Sequence, residues 1–212
     1  MHAWLIGLDA EADRAGEVLA GYERDRAASY LLPLDGARFA ASRAALRRIL
    51  AGYVGRAARN LEFLADRRGR PVLIGHDLHF SLARSGALAL LAISPSPVGA
   101  DLERIEPRPG LADLAAAGFG PGEAACVARG CAGSLLRGFY RHWTAKEAFL
   151  KAIGCGLRGF GEAELDCSGT PAIWFRGTPA AGWALSMIEV PAGYAAAIVA
   201  SQPVTQWRRL PA

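Results

Sequence analysis

Three carboxylates and one lysine in this 212-residue sequence have the types and spacing expected of a metal site that handles phosphate. Asp101 and Glu103 flank Leu102 in the segment VGADLERI, a predicted strand, so both carboxylates point to one face. Glu147 and Lys151 are four residues apart on a predicted helix and therefore share a helix face. Three carboxylates would offer Mg²⁺ the hard oxygen ligands it prefers, with Lys151 as a cation beside a bound phosphate.

Each of these features also has a plainer interpretation. The strand could present an exposed polar face, and the Glu147–Lys151 pair could be a surface ion pair that adds a few tenths of a kcal/mol to helix stability. We favour the buried interpretation, because the strand follows an apolar hairpin and because Trp143 and Phe149 indicate that much of the helix is covered. Two neighbouring buried carboxylates resist ionisation unless a cation joins them.

Lysine use is unusual, since Lys146 and Lys151 are the only two lysines among 24 basic residues. Both lie in the stretch HWTAKEAFLKAIGCGL. A compact ammonium on a flexible stem can reach a phosphate as a point charge where a flat guanidinium does not fit. We therefore interpret this helix as part of the site. The alternative is that the two lysines are close together by chance.

The elements that must position these residues follow a pattern that occurs twice along the chain. HFSLARSGALALLAIS and WALSMIEVPAGYAAAIVA each consist of a strand, a short turn with glycine and an alanine-rich strand, and each follows a helix-rich segment. We predict an α+β fold of two similar, tightly packed halves, residues 1–105 and 106–212. The similarity between the two segments is weak, and coincidence is the alternative explanation.

Composition narrows the class of protein. A hydrophobic content of 52% with a net charge of +4 is typical of a globular chain with a mild preference for anionic partners. The sequence contains no apolar run of transmembrane length and begins without a basic lead, so we expect a cytoplasmic protein without a membrane span. The four cysteines lack C-x-x-C spacing and are expected to be free thiols rather than zinc ligands or a redox pair.

The same residues resemble the 4′-phosphopantetheinyl transferases, specifically the longer single-chain class that activates peptide and polyketide synthetases. VGADLE is similar to the first family motif, G-[IV]-D-[ILV]-E, and WTAKEAFLKAIGCGL contains the complete second motif, W-[ST]-x-K-E-[AS]-x-x-K-x-x-G-x-G. Looser similarity extends upstream to the GRP turn at 69–71 and the helix ARFAASRAALRRIL. The resemblance implies two halves related by pseudo-twofold symmetry, with the ligand site at their interface.

One departure from the family pattern concerns a phosphate contact. The family usually has F-N-[IL]-S-H-S before its hairpin turn, and this chain has FSLARS, so Arg84 occupies the place of the histidine. Arginine can hold a phosphate bidentately and stays charged at any relevant pH, so we interpret Arg84 as a substitute anion contact. The resemblance implies that coenzyme A is bound by a wider set of residues: Arg26, Arg38, Arg70, Arg84, Ser85, Lys146 and Lys151.

The resemblance also implies an activity, a cofactor and a partner. Phosphopantetheine would be transferred from coenzyme A to a serine of an acidic acyl or peptidyl carrier protein, a holo-carrier synthase activity. Mg²⁺, or alternatively Mn²⁺, would be held by Asp101, Glu103 and Glu147, with Lys151 completing the catalytic group. We expect a monomer that serves polyketide, nonribosomal peptide or fatty acid biosynthesis.

Three alternatives stay open at this point. A diverged coenzyme A-binding relative without transferase activity would have the same motifs. A basic nucleic-acid-binding protein would show exposed aromatics among its arginines, whereas the aromatics here lie in apolar runs. A serine or cysteine hydrolase is disfavoured, since the sequence contains no G-x-S-x-G motif.

Overall fold

The computed structural model describes residues 1–66, 69–129, 133–166 and 171–209. In these ranges the α-helices are α1 (Leu8–Glu11), α2 (Gly21–Ala28), α3 (Pro33–Val54), α4 (Leu111–Gly118), α5 (Pro121–Ala128) and α6 (Leu135–Ala152). The strands are β1 (His2–Gly7), β2 (Phe63–Ala65), β3 (Pro71–Leu73), β4 (His79–Ser85), β5 (Leu88–Ser94), β6 (Val98–Arg104), β7 (Ala163–Asp166), β8 (Ala172–Phe175), β9 (Thr178–Pro179), β10 (Ala184–Met187), β11 (Tyr194–Ala200) and β12 (Gln206–Arg209). Short 3-10 helices cover Ala12–Arg14, Ala58–Asn60 and Leu157–Glu162. The predicted α+β class is therefore confirmed.

Two main sheets repeat one strand arrangement. In the first, the order of the described strands is β12-β1-β5-β4, and in the second it is β10-β11-β6. In each sheet a hairpin (β4–β5 or β10–β11) places its second strand antiparallel to an earlier strand (β1 or β6). A long helix, α3 or α6, separates that earlier strand from the hairpin in sequence. The pattern that occurs twice in the sequence thus corresponds to one topology used twice.

The division of the chain at residues 105 and 106 stays a prediction. Strand β6 lies just before this point in the sequence, yet it pairs with β11 over its whole length, from Val98 opposite Ala200 to Arg104 opposite Tyr194. The strand that contains Asp101 and Glu103 therefore belongs to the same sheet as β10 and β11. We propose the halves as a description of this repeated topology.

The core consists of two helix–sheet layers joined by the facing sheets. Helix α3 packs with Leu46 and Leu50 against Ile6 and Leu91 of the first sheet. Helix α6 buries Phe149 and other apolar residues with Ala197 and Val199 of the second sheet. A third cluster takes mostly small residues from both sheets: Ala3, Ala83, Leu90, Ala92, Val98, Ala100, Leu102, Ala196, Ile198 and Ala200. Alanine-rich strands allow the sheets to pack closely, which brings β4 beside β6.

Two expectations from composition have different outcomes. Among the described residues, the long helices carry too much polar character to form a bilayer-spanning segment. Cys155 is a free thiol, as expected, whereas Cys126 is disulfide-bonded, so the expectation of a free thiol is wrong at Cys126. The spacing of cysteines in sequence does not show which of them meet in space. Cys131 and Cys167 lie outside the described residues.

Gly99 sets the approach of β6 to α6. A Cβ atom at this position would lie 1.9 Å from the carbonyl oxygen of Ala148 and 2.4 Å from the backbone nitrogen of Ala152. Gly99→Ala must therefore push the helix from the strand, and we expect it to lower the free energy of unfolding by about 1–3 kcal/mol. Urea denaturation checks this value.

Gly52→Ala is the matched control, because Gly52 lies in α3 with no atom within 4 Å of an added Cβ. Alanine is the better helix former, so this change should raise stability by up to about 1 kcal/mol. Equal effects at the two glycines would contradict the close packing of β6 on α6.

Candidate active site

A cleft of about 460 Å³ opens between α3 and β4 on one side and the C-terminal end of α6 on the other. Its lining combines residues from early and late parts of the chain: Phe39, Ser42, Arg43, Asp66, Arg70, Pro71, Val72, Leu78, His79, Phe80, Ser81, Leu82, Arg84, Pro97, Val98, Lys151, Ala152, Ile153 and Gly154. Aromatic and aliphatic side chains alternate with three arginines and Lys151, as is typical of a pocket for an anionic ligand with an apolar part.

The carboxylates lie where β6 passes beneath the last turns of α6. Asp101 is 4% exposed, and its Oδ1 lies 2.5 Å from Nζ of Lys151. Glu147 Oε2 is 3.9 Å from the same ammonium. Period-two alternation buries Leu102 on the opposite face of β6. The structure thus brings Asp101, Glu147 and Lys151 together, as the sequence predicts.

Glu103 is held by a hydrogen bond from the neighbouring strand β4. The hydroxyl of Ser85 donates to Glu103 Oε2 at 2.9 Å, and it accepts the backbone N–H of Arg104 at 3.0 Å. The resemblance implies that Ser85 contacts coenzyme A, but Ser85 does not line the cleft. In this structure Ser85 orients a carboxylate.

The environment disfavours the ionised form of all three carboxylates. Burial raises the pKa of Asp101, and the Lys151 ammonium only partly offsets this effect. Burial and the charge of Asp101 raise the pKa of Glu103. Burial also raises the pKa of Glu147, with Lys151 opposing the shift and the other two carboxylates adding to it. A further cation would relieve these costs.

A divalent metal ion fits the donor set. Asp101 Oδ2 is buried and has no hydrogen-bond partner among the described residues, which leaves a hard oxygen ligand available. Across those residues, however, no three His, Cys, Asp or Glu side chains converge closely enough to form a preassembled metal site. The ammonium of Lys151 instead lies between Asp101 and Glu147.

Two of the four predicted arginines line the cleft. Arg84 lines the cleft, its guanidinium lies 5.4 Å from the ring centres of both Tyr30 and Phe39, and it donates to the Tyr30 hydroxyl at 2.5 Å. Arg70 also lines the cleft, is bound to Asp66 at 2.9 Å, and donates to the backbone carbonyl of Lys151.

The other two predicted arginines do not line the cleft. Arg38 makes a bidentate contact with Asp9, with hydrogen bonds of 2.8 and 3.0 Å. Arg26 is exposed, and its guanidinium lies 5.4 Å from the ring centre of Tyr30. Arg26 is therefore connected to Arg84 through the shared Tyr30 ring, whereas Arg38 is held by Asp9.

Lys146 is buried in the core and does not line the cleft, although the resemblance implies that it contacts coenzyme A. Its side chain is completely buried, with Nζ 2.7 Å from Glu123 Oε2 and 2.6 Å from the Gly118 carbonyl. The rings of Phe119 and Phe160 cover the ammonium at 5.3 and 4.9 Å. Burial lowers the pKa of Lys146, and Glu123 opposes that shift. The structure does not bring Lys146 to the cleft, so contact with coenzyme A there would require the buried pair to separate.

Arg43 is a cleft residue that the sequence reasoning missed. It lines the cleft together with Phe39, one helical turn earlier on α3, and its Nε bonds to the buried Glu23 at 2.7 Å. Arg47 Nε bonds to the other oxygen of Glu23 at 2.6 Å. The i, i+4 spacing of Phe39, Arg43 and Arg47 was visible in the sequence and would have indicated a shared face.

Comparison with known proteins identifies relatives with one described activity. A family model described as "4'-phosphopantetheinyl transferase superfamily" matches residues 97–199. The chain is 33% identical over 193 residues to the 4'-phosphopantetheinyl transferase HetI of Nostoc sp. strain PCC 7120, covering 87% of this chain and 81% of the relative.

Two further relatives match over shorter shares. A putative 4'-phosphopantetheinyl transferase of Synechocystis sp. strain PCC 6803 is 34% identical, covering 67% of this chain and 59% of the relative. A 4'-phosphopantetheinyl transferase of Bacillus subtilis is 26% identical, covering 69% and 65%. The matched segment 97–199 contains β6 and α6, which carry the three carboxylates and both lysines. The match to most of the Nostoc enzyme, together with this site, shows that the chain belongs to the 4′-phosphopantetheinyl transferase superfamily.

Proposed function

We propose that this protein transfers the 4′-phosphopantetheine group of coenzyme A to a serine of an acyl or peptidyl carrier protein and releases 3′,5′-ADP. The observation that carries the proposal is the junction of β6 and α6. There, three carboxylates with raised pKa values lie behind Lys151, whose ammonium contacts Asp101 and Glu147 and whose side chain lines the arginine-containing cleft. Transfer of a phosphoryl group needs charge neutralisation and positioning more than covalent help from the enzyme, and this group of residues supplies both.

In the proposed reaction the serine oxygen attacks the β-phosphorus of coenzyme A. A new bond forms between this oxygen and phosphorus, while the bond to the bridging oxygen breaks and its electrons leave with 3′,5′-ADP. Glu147 accepts the serine proton, directly or through water, from its position one helical turn before Lys151. Lys151 neutralises charge on the pyrophosphate from its place at the cleft wall.

Asp101, Glu103 and Glu147 would hold Mg²⁺, with Mn²⁺ as an alternative of similar ligand preference. When bound, the metal ion would neutralise charge on the pyrophosphate oxygens. The orphaned Asp101 Oδ2 supports this assignment, and Ser85 orients Glu103 for it.

The cleft arginines would bind the phosphate groups of coenzyme A. Arg84 and Arg70 present guanidinium groups at the cleft wall, and Arg43 lies beside them. Arg26 and Arg38 would contribute at the rim, where Arg38 would first have to leave Asp9. A net charge of +4 suits an acidic carrier protein as partner. A cytoplasmic monomer is the setting we propose.

The test is a transfer assay with several apo carrier proteins. The protein is incubated with coenzyme A and Mg²⁺, and the carriers are weighed by mass spectrometry, with a parallel reaction in EDTA. We expect a phosphopantetheine adduct on at least one carrier in the Mg²⁺ reaction alone. Calorimetry with coenzyme A separates the failures. Binding of coenzyme A without any adduct would favour the alternative of a diverged coenzyme A-binding protein without transferase activity, in which Arg84 replaces the family histidine. Absence of binding would refute the site.

Arg84→His should make coenzyme A binding depend more steeply on pH. Arginine stays charged throughout the neutral range, whereas an imidazole with an ordinary pKa of about 6.5 loses its proton as pH rises. The variant should therefore approach wild-type affinity at pH 6. Between pH 6 and 8 its Kd should rise roughly tenfold more than that of the wild type, the value of one charge-assisted hydrogen bond.

Titration calorimetry at pH 6, 7 and 8 measures this difference. The comparison with wild type removes the titration of the ligand phosphates, which is common to both proteins. Parallel pH profiles would show that Arg84 does not contact a phosphate.

A further inference from the structure

We propose that Lys151 acts as a substitute cation for Asp101 in the metal-free protein, and that a divalent metal ion displaces its ammonium into the cleft. This inference rests on the proposed function for the identity of the metal ion. It adds a conformational step of the chain itself: the side chain that neutralises substrate phosphate is released by metal binding.

The ammonium occupies the space between two carboxylates. Lys151 Nζ lies 2.5 Å from Asp101 Oδ1 and 3.9 Å from Glu147 Oε2, whereas Asp101 Oδ2 remains buried without a hydrogen-bond partner in the described part of the chain. One ammonium therefore satisfies only part of the cluster. Three carboxylates and one lysine carry a formal charge of −2 when all are ionised, so a divalent cation would neutralise the group.

Lys151 has room to move without a change in the backbone. Its side chain is 30% exposed and lines the cleft, and it belongs to the last turn of α6. Arg70 contacts the Lys151 carbonyl and so holds the backbone while the flexible stem is free to swing. The lysine ammonium is a point charge on a flexible four-carbon stem, so it can move from a carboxylate to a phosphate.

Lys146 provides an internal contrast. Its ammonium is enclosed by Glu123, the Gly118 carbonyl and two aromatic rings, with no exposed side-chain surface. These two residues are all the lysines of the chain. One ammonium is thus fixed in the core and the other is placed to be released.

This composition permits a direct test on the unmodified protein. Protein labelled with ¹³C and ¹⁵N only at lysine gives NMR side-chain signals from just two residues, and Lys151→Met assigns them. Addition of Mg²⁺ without coenzyme A should shift the Lys151 ε-methylene and ammonium signals and leave those of Lys146 in place. An unmoved Lys151 signal at Mg²⁺ concentrations that saturate a calorimetric titration would overturn the inference, as would equal shifts of both lysines.

A second measurement compares Mg²⁺ affinity between variants in the absence of coenzyme A. Lys151→Met removes the competing ammonium, so its Kd for Mg²⁺ should be roughly 1.5-fold to fivefold lower than that of the wild type, the range measured for exposed ion pairs. Arg84→Met removes a charge from the same cleft, where Arg84 contacts Tyr30 and Phe39, and should change the Kd less. Equal or weaker binding by Lys151→Met overturns the inference, and Lys151→Gln repeats the comparison if the methionine variant fails to fold.

These readouts are independent of transfer. Phosphopantetheine adducts with a static Lys151 would refute the displacement alone and leave the proposed activity standing. A displaced Lys151 without adducts on any carrier would refute the activity and leave the displacement standing.

Discussion

Glu147→Gln is expected to reduce the rate of carrier modification by at least about 10²-fold, the cost typical of removing one preorganised electrostatic contact from an active site. The amide has nearly the shape of the carboxylate but cannot neutralise a metal ion or accept the serine proton. The measurement is kcat/KM for adduct formation, followed by mass spectrometry. Glu162→Gln is the matched control, because Glu162 forms a surface pair with Arg176 and should keep wild-type activity.

The same substitution should not destabilise the metal-free protein at neutral pH. Burial and the charges of Asp101 and Glu103 raise the pKa of Glu147 despite the opposing effect of Lys151. A carboxyl group with a raised pKa stabilises the fold at low pH and loses that contribution as pH rises through its folded-state pKa. Stability relative to wild type should therefore increase as pH rises from about 4.3, the usual glutamate pKa, to neutrality.

Urea denaturation in EDTA at pH 5 and pH 7.5 checks this sign. Undiminished transfer by Glu147→Gln would refute the catalytic and metal-binding roles of the residue. A variant that loses activity because it unfolds would contradict the expected gain in stability. The same denaturation curves distinguish this loss by unfolding from a loss of catalysis in a folded variant.

Lys146→Met is expected to lower the free energy of unfolding by about 3–5 kcal/mol, the usual cost of breaking a buried ion pair from one side. The substitution would leave the Glu123 carboxylate, with 2% of its side chain exposed, without its cation. Glu123 also accepts the backbone N–H groups of Gly120 and Leu165, so it joins the start of α5 to β7. Chemical denaturation measures the loss.

A double variant identifies the cause of this loss. Glu123→Gln in the Lys146→Met background removes the unpaired charge and keeps an acceptor oxygen, so it should recover part of the stability. Arg176→Met breaks an exposed pair and should have a small effect. If Lys146→Met instead folds with wild-type stability and binds coenzyme A more weakly, the contact suggested by the sequence motif is correct and the structural role is wrong.

Much of the fold and the central site could be predicted from local sequence patterns. The strand predicted for VGADLERI is β6 (Val98–Arg104), and the helix predicted to carry Glu147 and Lys151 is α6, which extends from Leu135 to Ala152 after the N-cap Ser134. Periodicity and capping depend on neighbours within a few residues, so the sequence contains them directly. The positions of Asp101, Glu103, Glu147 and Lys151 follow from the same local patterns.

Only the tertiary structure decided which cation meets which anion. Lys146 and Glu147 are consecutive, but successive residues of an α-helix point about 100° apart. Lys146 therefore enters the core against Glu123, while Glu147 and Lys151 face β6. Likewise, Arg38 is held by Asp9, and Ser85 contacts Glu103. These contacts join residues 18 to 50 positions apart, and they depend on how helices and sheets pack together, a global property that local spacing does not contain.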